Sequence, residues 1–159
     1  MAIFTRLDSP LGELLIEADE HLGVTRLTLD AGEQPDPGDA RRDDQVLEEV
    51  REQLLAYLAG RRRSFSLPLA PGGSEFQRQV WSALQRIPYG ETRTYGELAR
   101  RLGREGAARA IGAANGANPL PLLIPCHRVV AASGLGGYSG GLELKRRLLA
   151  LEGVEDLRP

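Results

Sequence analysis

Thr94-Tyr95-Gly96-Glu97-Leu98-Ala99-Arg100-Arg101-Leu102-Gly103, followed shortly by Ala107-Ala108-Arg109-Ala110-Ile111-Gly112-Ala113-Ala114-Asn115, is the stretch on which the fold turns. Thr94 and Glu97 have the spacing of a capping box, in which the hydroxyl accepts from a first-turn amide and the carboxylate reaches back to the cap. That predicts a short helix through Leu98 and Leu102, stopped at Gly103. After a tight turn, residues 107–115 predict a second helix whose exposed face is almost bare of bulk. Two short helices around a Gly-containing turn make a helix-turn-helix candidate. Ala107, Ala108, Ala110, Gly112 and Ala113 would let the backbone approach another surface closely, and Arg109 alone projects from them. The same face would equally suit close packing against another helix in a core, and spacing alone does not separate the two.

Downstream, Asn118-Pro119-Leu120-Pro121 leads into Leu122-Leu123-Ile124-Pro125-Cys126-His127-Arg128-Val129-Val130, which holds the only cysteine and one of two histidines. The flanking apolar runs read as buried β-structure. Isolated buried cysteines are usually small core hydrophobes, but a thiol beside an imidazole and a guanidinium has what a nucleophile needs. A free thiol ionises near pH 8.5, so a neighbouring base or positive charge must raise its thiolate fraction. Adjacent strand residues point to opposite faces, so contact between Cys126 and His127 requires a bend after Pro125 or a bridging water. Residues 131–141 carry five glycines and read as a loop able to fold over a flat ligand. A last helix over residues 142–151 carries Lys145-Arg146-Arg147 and ends at Glu152-Gly153, whose carboxylate could orient an imidazole.

Upstream, three apolar-rich segments at residues 2–7, 13–18 and 24–29 are separated by turn residues, the pattern of an antiparallel meander. Residues 31–40 read as a loop, and Asp43-Asp44 as the opening of a helix to about Ala59, with Leu47, Val50, Leu54 and Leu58 on one face. His21 reads as a surface residue. Arg61-Arg62-Arg63 after Gly60 complements a helix C-terminus as readily as a phosphate. Residues 64–71 form an extended linker, which places a domain boundary near Gly72-Gly73 and divides the chain into 1–72 and 73–159. Ser74 and Gln77 form a second capping box, opening a helix with Phe76, Val80, Leu84 and Ile87 on one face.

The net charge of -2 is an average over two unlike parts. Residues 1–55 carry 14 acidic and 5 basic side chains, and residues 56–159 carry 8 acidic and 15 basic. A basic module of this kind fits a polyanionic partner. One cysteine cannot make an internal disulfide, and one Cys with two His lacks the ligand cluster of a structural zinc site. No apolar run has the length of a membrane span, and no signal peptide is evident at the start. These features lead us to expect a reduced, cytoplasmic protein without metal, cofactor or membrane contact.

Together the motifs resemble the O6-alkylguanine-DNA alkyltransferases, over about residues 74–153. The resemblance rests on Asn118-Pro119, the run 124–130, Tyr138-Ser139-Gly140-Gly141 and Glu152-Gly153. It implies an α+β fold, with a ribonuclease-H-like small antiparallel sheet and helix followed by a mostly helical domain containing the helix-turn-helix. It further implies single-turnover transfer of an alkyl group from O6 of guanine, or O4 of thymine, in double-stranded DNA to Cys126, by a monomer. His127 is then the general base through a water, Glu152 its orienter, Asn118 a brace for the nucleophile's segment, and Tyr95 a donor to the guanine ring. The carbonyls of Cys126 and Val129 would read the exocyclic amine, with Tyr138, Ser139 and Gly140 closing the pocket. Arg109 would fill the gap left by a flipped base, and Ala107, Ala108, Ala110, Gly112, Ala113 and Arg128 would lie at the DNA. Where many members of the family carry a basic residue before the Asn-Pro pair this chain has Gly116-Ala117, so the resemblance does not supply that phosphate contact here. Two other readings stand beside this one. A non-catalytic module could bind alkylguanine DNA and recruit repair factors, and a cysteine hydrolase could use Cys126 and His127 over many turnovers.

Overall fold

Ala2–Ser9 (β1), Gly12–Asp19 (β2) and Gly23–Thr28 (β3) form the expected antiparallel meander. A two-residue strand, Arg41–Arg42 (β4), pairs parallel with β1, giving the order β3-β2-β1-β4. This computed structural model describes residues 1–154. The chain divides into two compact units, Met1–Gly72 and Gly73–Pro159.

In the first unit both faces of the sheet are covered, because successive strand residues point to opposite sides. On one side Ile3, Ala18 and Val24 meet Leu47 and Val50 around a cavity of about 220 Å³. On the other, Phe4, Leu15 and Ala31 form a small cluster closed by Ala40, so the 31–40 loop acts as a cover. Arg6 pins that loop, donating to Asp36 (2.8 Å), Glu13 (3.1 Å) and the carbonyls of Ala31 and Gln34. The helix is Glu48–Leu58 (α1), later than the expected start. Asp43 caps the turn before it, accepting from the Val46 amide at 3.0 Å, and that turn delays the helix. Tyr57 rather than Leu58 fills the buried face, tilted against Phe65 with ring centroids 5.2 Å apart. The linker at 64–71 is extended and pairs with β3, Val24 donating to Pro68 and accepting from Ala70. A side chain at position 23 would strike Pro68, which is why glycine sits there at φ 128°.

The second unit is held by Glu75–Gln85 (α2), Tyr95–Arg101 (α3), Ala108–Gly116 (α4) and Leu142–Leu151 (α5). Both capping boxes form, Ser74 with Gln77 and Thr94 with Glu97. The buried face of α2 differs slightly from expectation: Trp81 joins Val80 and Leu84, and its indole N–H donates 2.8 Å to the Ala114 carbonyl on α4. A buried indole needs such a partner, and here it locks two helices together. The apolar residues before the cysteine are not strand. Residues 120–124 form a turn, and only Val129–Val130 (β6) is β, pairing parallel with Arg93–Thr94 (β5) just before α3. A short, fully buried apolar run looks the same in either geometry, so periodicity could not distinguish them. Among the described residues no helix is long and apolar enough to cross a membrane.

Candidate active site

The cysteine sits at a double bend. Pro125, at φ -78° and ψ 66°, is the centre of an inverse γ-turn in which the Cys126 amide donates 2.7 Å to the Ile124 carbonyl. Cys126–Arg128 then make a single 3-10 turn leading into β6. Contact between thiol and imidazole called for a bend after Pro125 or a bridging water, and the bend is present, with proline's fixed φ at its centre. Asn118 clasps the preceding turn from both ends of its amide, accepting from Leu120 N at 2.9 Å and donating to Ile124 O at 2.8 Å. The clasp holds Leu122 at φ 73°, a left-handed conformation that leucine adopts at a cost of about 1–3 kcal/mol.

Cys126 is 2% exposed. Burial pushes its thiol up, while the nearby Asn118 and Tyr138 side chains and the charge of Lys145 draw it back. The resting group is therefore a thiol that needs help to ionise. His127 is fully buried next to it and bonds Glu152 through Nε2 at 2.8 Å. A carboxylate only accepts, so Nε2 carries the proton and Nδ1 is the basic nitrogen of the neutral ring. Burial holds the imidazole below its ordinary value, with Glu152 pulling the other way.

Glu152 also takes Arg128 in a two-pronged pair, from Nε at 2.8 Å and Nη2 at 2.9 Å. The remaining Arg128 edge donates to the Ile87 carbonyl at 2.7 Å, and the guanidinium lies 5.7 Å from the centre of the Tyr89 ring. This corrects one expectation. The resemblance implies Arg128 at the DNA surface, but its guanidinium is buried and engaged by a carboxylate and a carbonyl, so it fixes Glu152 instead.

In the sequence Lys145 stands out only as part of a basic run. It is fully buried, with Nζ donating 2.6 Å to the Val129 carbonyl and 2.9 Å to that of Gly137. It thereby ties the nucleophile's strand to the glycine-rich loop, and burial lowers its pKa to about 8. A signal was present, because Lys145, Leu148, Leu149 and Glu152 share one helical face and all are buried. Asn115 likewise belongs to none of the motifs that mark the site in the sequence. It is buried on α4 and donates 3.3 Å to the Cys126 carbonyl.

The remaining expected residues divide by position. Tyr95, half-buried, lies between Gly112 of α4 and Gly136 of the loop, where a side chain would come within 3.2 Å of its hydroxyl. Burial pushes its phenol up, and the Gly137 amide opposes that. The Tyr138 hydroxyl is buried against the thiol, and desolvation and Cys126 both push it well above the ordinary phenol range. Ser139 and Gly140 are exposed beside it. Ala108, Arg109, Ala110 and Ala113 are exposed, while Ala107 and Gly112 are partly covered. The bare face of α4 with its single arginine is therefore open. Among the described residues no group of three or more His, Cys, Asp and Glu side chains is placed to hold a metal.

Two family models match the chain. The DNA-binding domain of 6-O-methylguanine DNA methyltransferase spans residues 75–154, and the ribonuclease-like domain of the same family spans 3–71. The methylated-DNA--protein-cysteine methyltransferase of Methanosarcina acetivorans is 46% identical over 149 residues, covering 92% of this chain and 95% of that protein. The protein of the same name from Mycolicibacterium paratuberculosis is 46% identical over 153 residues, covering 96% and 93%. A Mycobacterium tuberculosis OGT crystallised in complex with DNA superposes with a TM-score of 0.85 at 45% identity, covering 94% of this chain and 92% of that one. With both halves matched in order and relatives this similar over nearly their full length, the chain belongs to the methylated-DNA–protein-cysteine methyltransferase family.

Proposed function

We propose that the protein repairs double-stranded DNA by moving an alkyl group from O6 of a modified guanine onto the sulfur of Cys126, once per molecule. The observation that carries this reading is the buried Cys126, His127, Glu152 and Arg128 assembly inside the segment that matches the family's DNA-binding domain. Nδ1 of His127 takes the thiol proton through a water, and the Nε2 bond to Glu152 stabilises the imidazolium that forms. The thiolate attacks the alkyl carbon, the carbon–sulfur bond forms, and the carbon–O6 bond breaks with its electron pair passing to the guanine. Tyr95 donates a hydrogen bond to the ring as that charge develops, and its raised pKa keeps the donor protonated. The carbonyls of Cys126 and Val129 take the exocyclic amine, that of Val129 held in place by the buried Lys145. A thioether is not cleaved by ordinary cellular reductants, so the product is final.

A stacked guanine cannot reach a buried thiol, so the nucleotide flips out at a cost of a few kcal/mol. Arg109 fills the space, and the small residues 107, 108, 110, 112 and 113 seat α4 in the groove. Unit 73–159 is the transferase, and unit 1–72 supports it. The protein acts as a monomer, in the cytoplasm, where thiols stay reduced.

Intact-mass measurement after incubation with O6-methylguanine duplex tests the reading. One methyl group per molecule, located on Cys126 and lost with Cys126→Ala, is expected. Repeated turnover, or DNA that keeps its methyl group, would refute it.

A further inference from the structure

Asn115 is a buried amide used at one end only. It lies on the inward face of α4 with Ile111 and Ala114, and is 4% exposed. Nδ2 donates to the Cys126 carbonyl at 3.3 Å, while Oδ1 is buried without a hydrogen-bond partner. The reversed amide would set Oδ1 against the carbonyl oxygen, so the orientation is determined by chemistry. A buried acceptor left unsatisfied costs free energy that a leucine of similar volume would avoid. Stability alone therefore does not account for an amide at this position.

Its surroundings do. The Cys126 carbonyl also accepts the Val129 amide that closes the 3-10 turn, so Asn115 bears directly on the turn that presents thiol, imidazole and guanidinium in succession. The adjacent Ala114 carbonyl is held by the Trp81 indole, which anchors this end of α4 to α2. The outward face of the same helix carries Arg109, Ala110 and Ala113 in the open. One short helix thus has a free face and, through Asn115, a bond to the nucleophile's own peptide.

We infer that Asn115 is a positioning residue that conveys the seating of α4 on duplex DNA to Cys126. The inference rests on alkyl transfer to Cys126 as proposed above. A displacement of α4 when Arg109 enters the duplex passes through a rigid helix and one hydrogen bond to the carbonyl of the reacting residue. A free alkylated base does not load α4 and draws on this link less.

The test compares methyl transfer from O6-methylguanine in duplex DNA with benzyl transfer from free O6-benzylguanine, both read by intact mass. For Asn115→Leu the duplex rate is expected to fall roughly tenfold, the worth of one buried hydrogen bond, and the free-base rate by clearly less. The melting temperature should hold or rise. Equal losses on both substrates, or no loss, would overturn the inference. Asn115→Asp supplies a second readout, since only a protonated carboxyl can donate to the Cys126 carbonyl and burial favours that form. Its duplex rate relative to the unmodified protein should climb as pH falls, and a flat ratio would also overturn the inference. If the unmodified protein gains no alkyl group on Cys126, the functional reading fails first and takes the inference with it. If it does while Asn115→Leu behaves identically on both substrates, only the inference fails.

Discussion

The two units handle charge in opposite ways. In the first, ion pairs such as Arg42 with Asp44 and Arg41 with Asp43 sit at the surface with half-exposed arginines. Its buried polar side chains find neutral or peripheral partners, as Thr5 does with Asp44 and Gln53 with Glu49 and Ser66. In the second, Glu152, His127, Arg128, Lys145 and Asn115 are all withdrawn from water within reach of Cys126 or its neighbours. Surface pairs contribute little to stability, whereas buried charges cost heavily unless fully paired. Concentrating that cost around one thiol is what a reactive site requires, because burial and selected partners set the protonation states.

Breaking one pair in each unit should expose the difference most strongly. Glu152→Gln removes the buried counter-charge of Arg128 and replaces one of the two oxygens shared by Arg128 and His127 with an amide donor. We expect transfer to slow by a factor on the order of 10² or more and stability to fall by about 3–5 kcal/mol. Arg42→Ala should leave both rate and melting temperature nearly unchanged. Single-turnover rates and denaturant titrations of the two variants decide the matter, and similar effects from both would erase the contrast.

Arg109 probes the exposed part of the second unit. Arg109→Ala should slow repair in duplex DNA while barely altering reaction with free O6-benzylguanine, since only the duplex must be opened. Parallel rate measurements on both substrates test this. Equal losses would make Arg109 part of the pocket.

A smaller effect is expected after reaction. A methyl group on Cys126 adds volume where Ile124, Pro125 and Val129 are buried, and overpacking costs about 1–3 kcal/mol. Methylated protein should therefore melt below unreacted protein, and benzylated protein lower still unless the loop at 131–141 opens. Paired calorimetry would show this, and an unchanged midpoint would mean the pocket already accommodates the product.

The subtlest contrast is with pH. Burial lowers the pKa of His127 below 6.5 in the folded chain, with Glu152 opposing. Between that lowered value and 6.5 the unfolded chain binds more protons, so this contribution to stability is present above 6.5 and is lost as pH falls through the folded value. The acid limb of the transfer rate should accordingly lie below 6.5, and replacing His127 should remove that limb. Rate profiles from neutral to acid pH would show whether it lies there.

Local chemistry was legible from the residues. Both capping boxes join groups three residues apart, so Ser74-Gln77 and Thr94-Glu97 announced α2 and α3 without reference to anything distant. The helix at 142–151 and the meander followed from periodicity and turn residues. Cys126 stood out because its neighbours have the chemistry to activate it. What required the tertiary structure is what depends on pairing across the chain. The strands β4, β5 and β6 are two residues each and exist only through partners far away in sequence. Glu152 reaches His127 across 25 residues and Arg128 across 24, and that convergence turned Arg128 from the DNA surface into the interior. Lys145 and Asn115 look like ordinary polar residues of amphipathic helices until α5 and α4 pack against the nucleophile's turn. A side chain's type is local, but its exposure and its partner are set by what the rest of the chain brings to it, and at this site that decided which charges were buried.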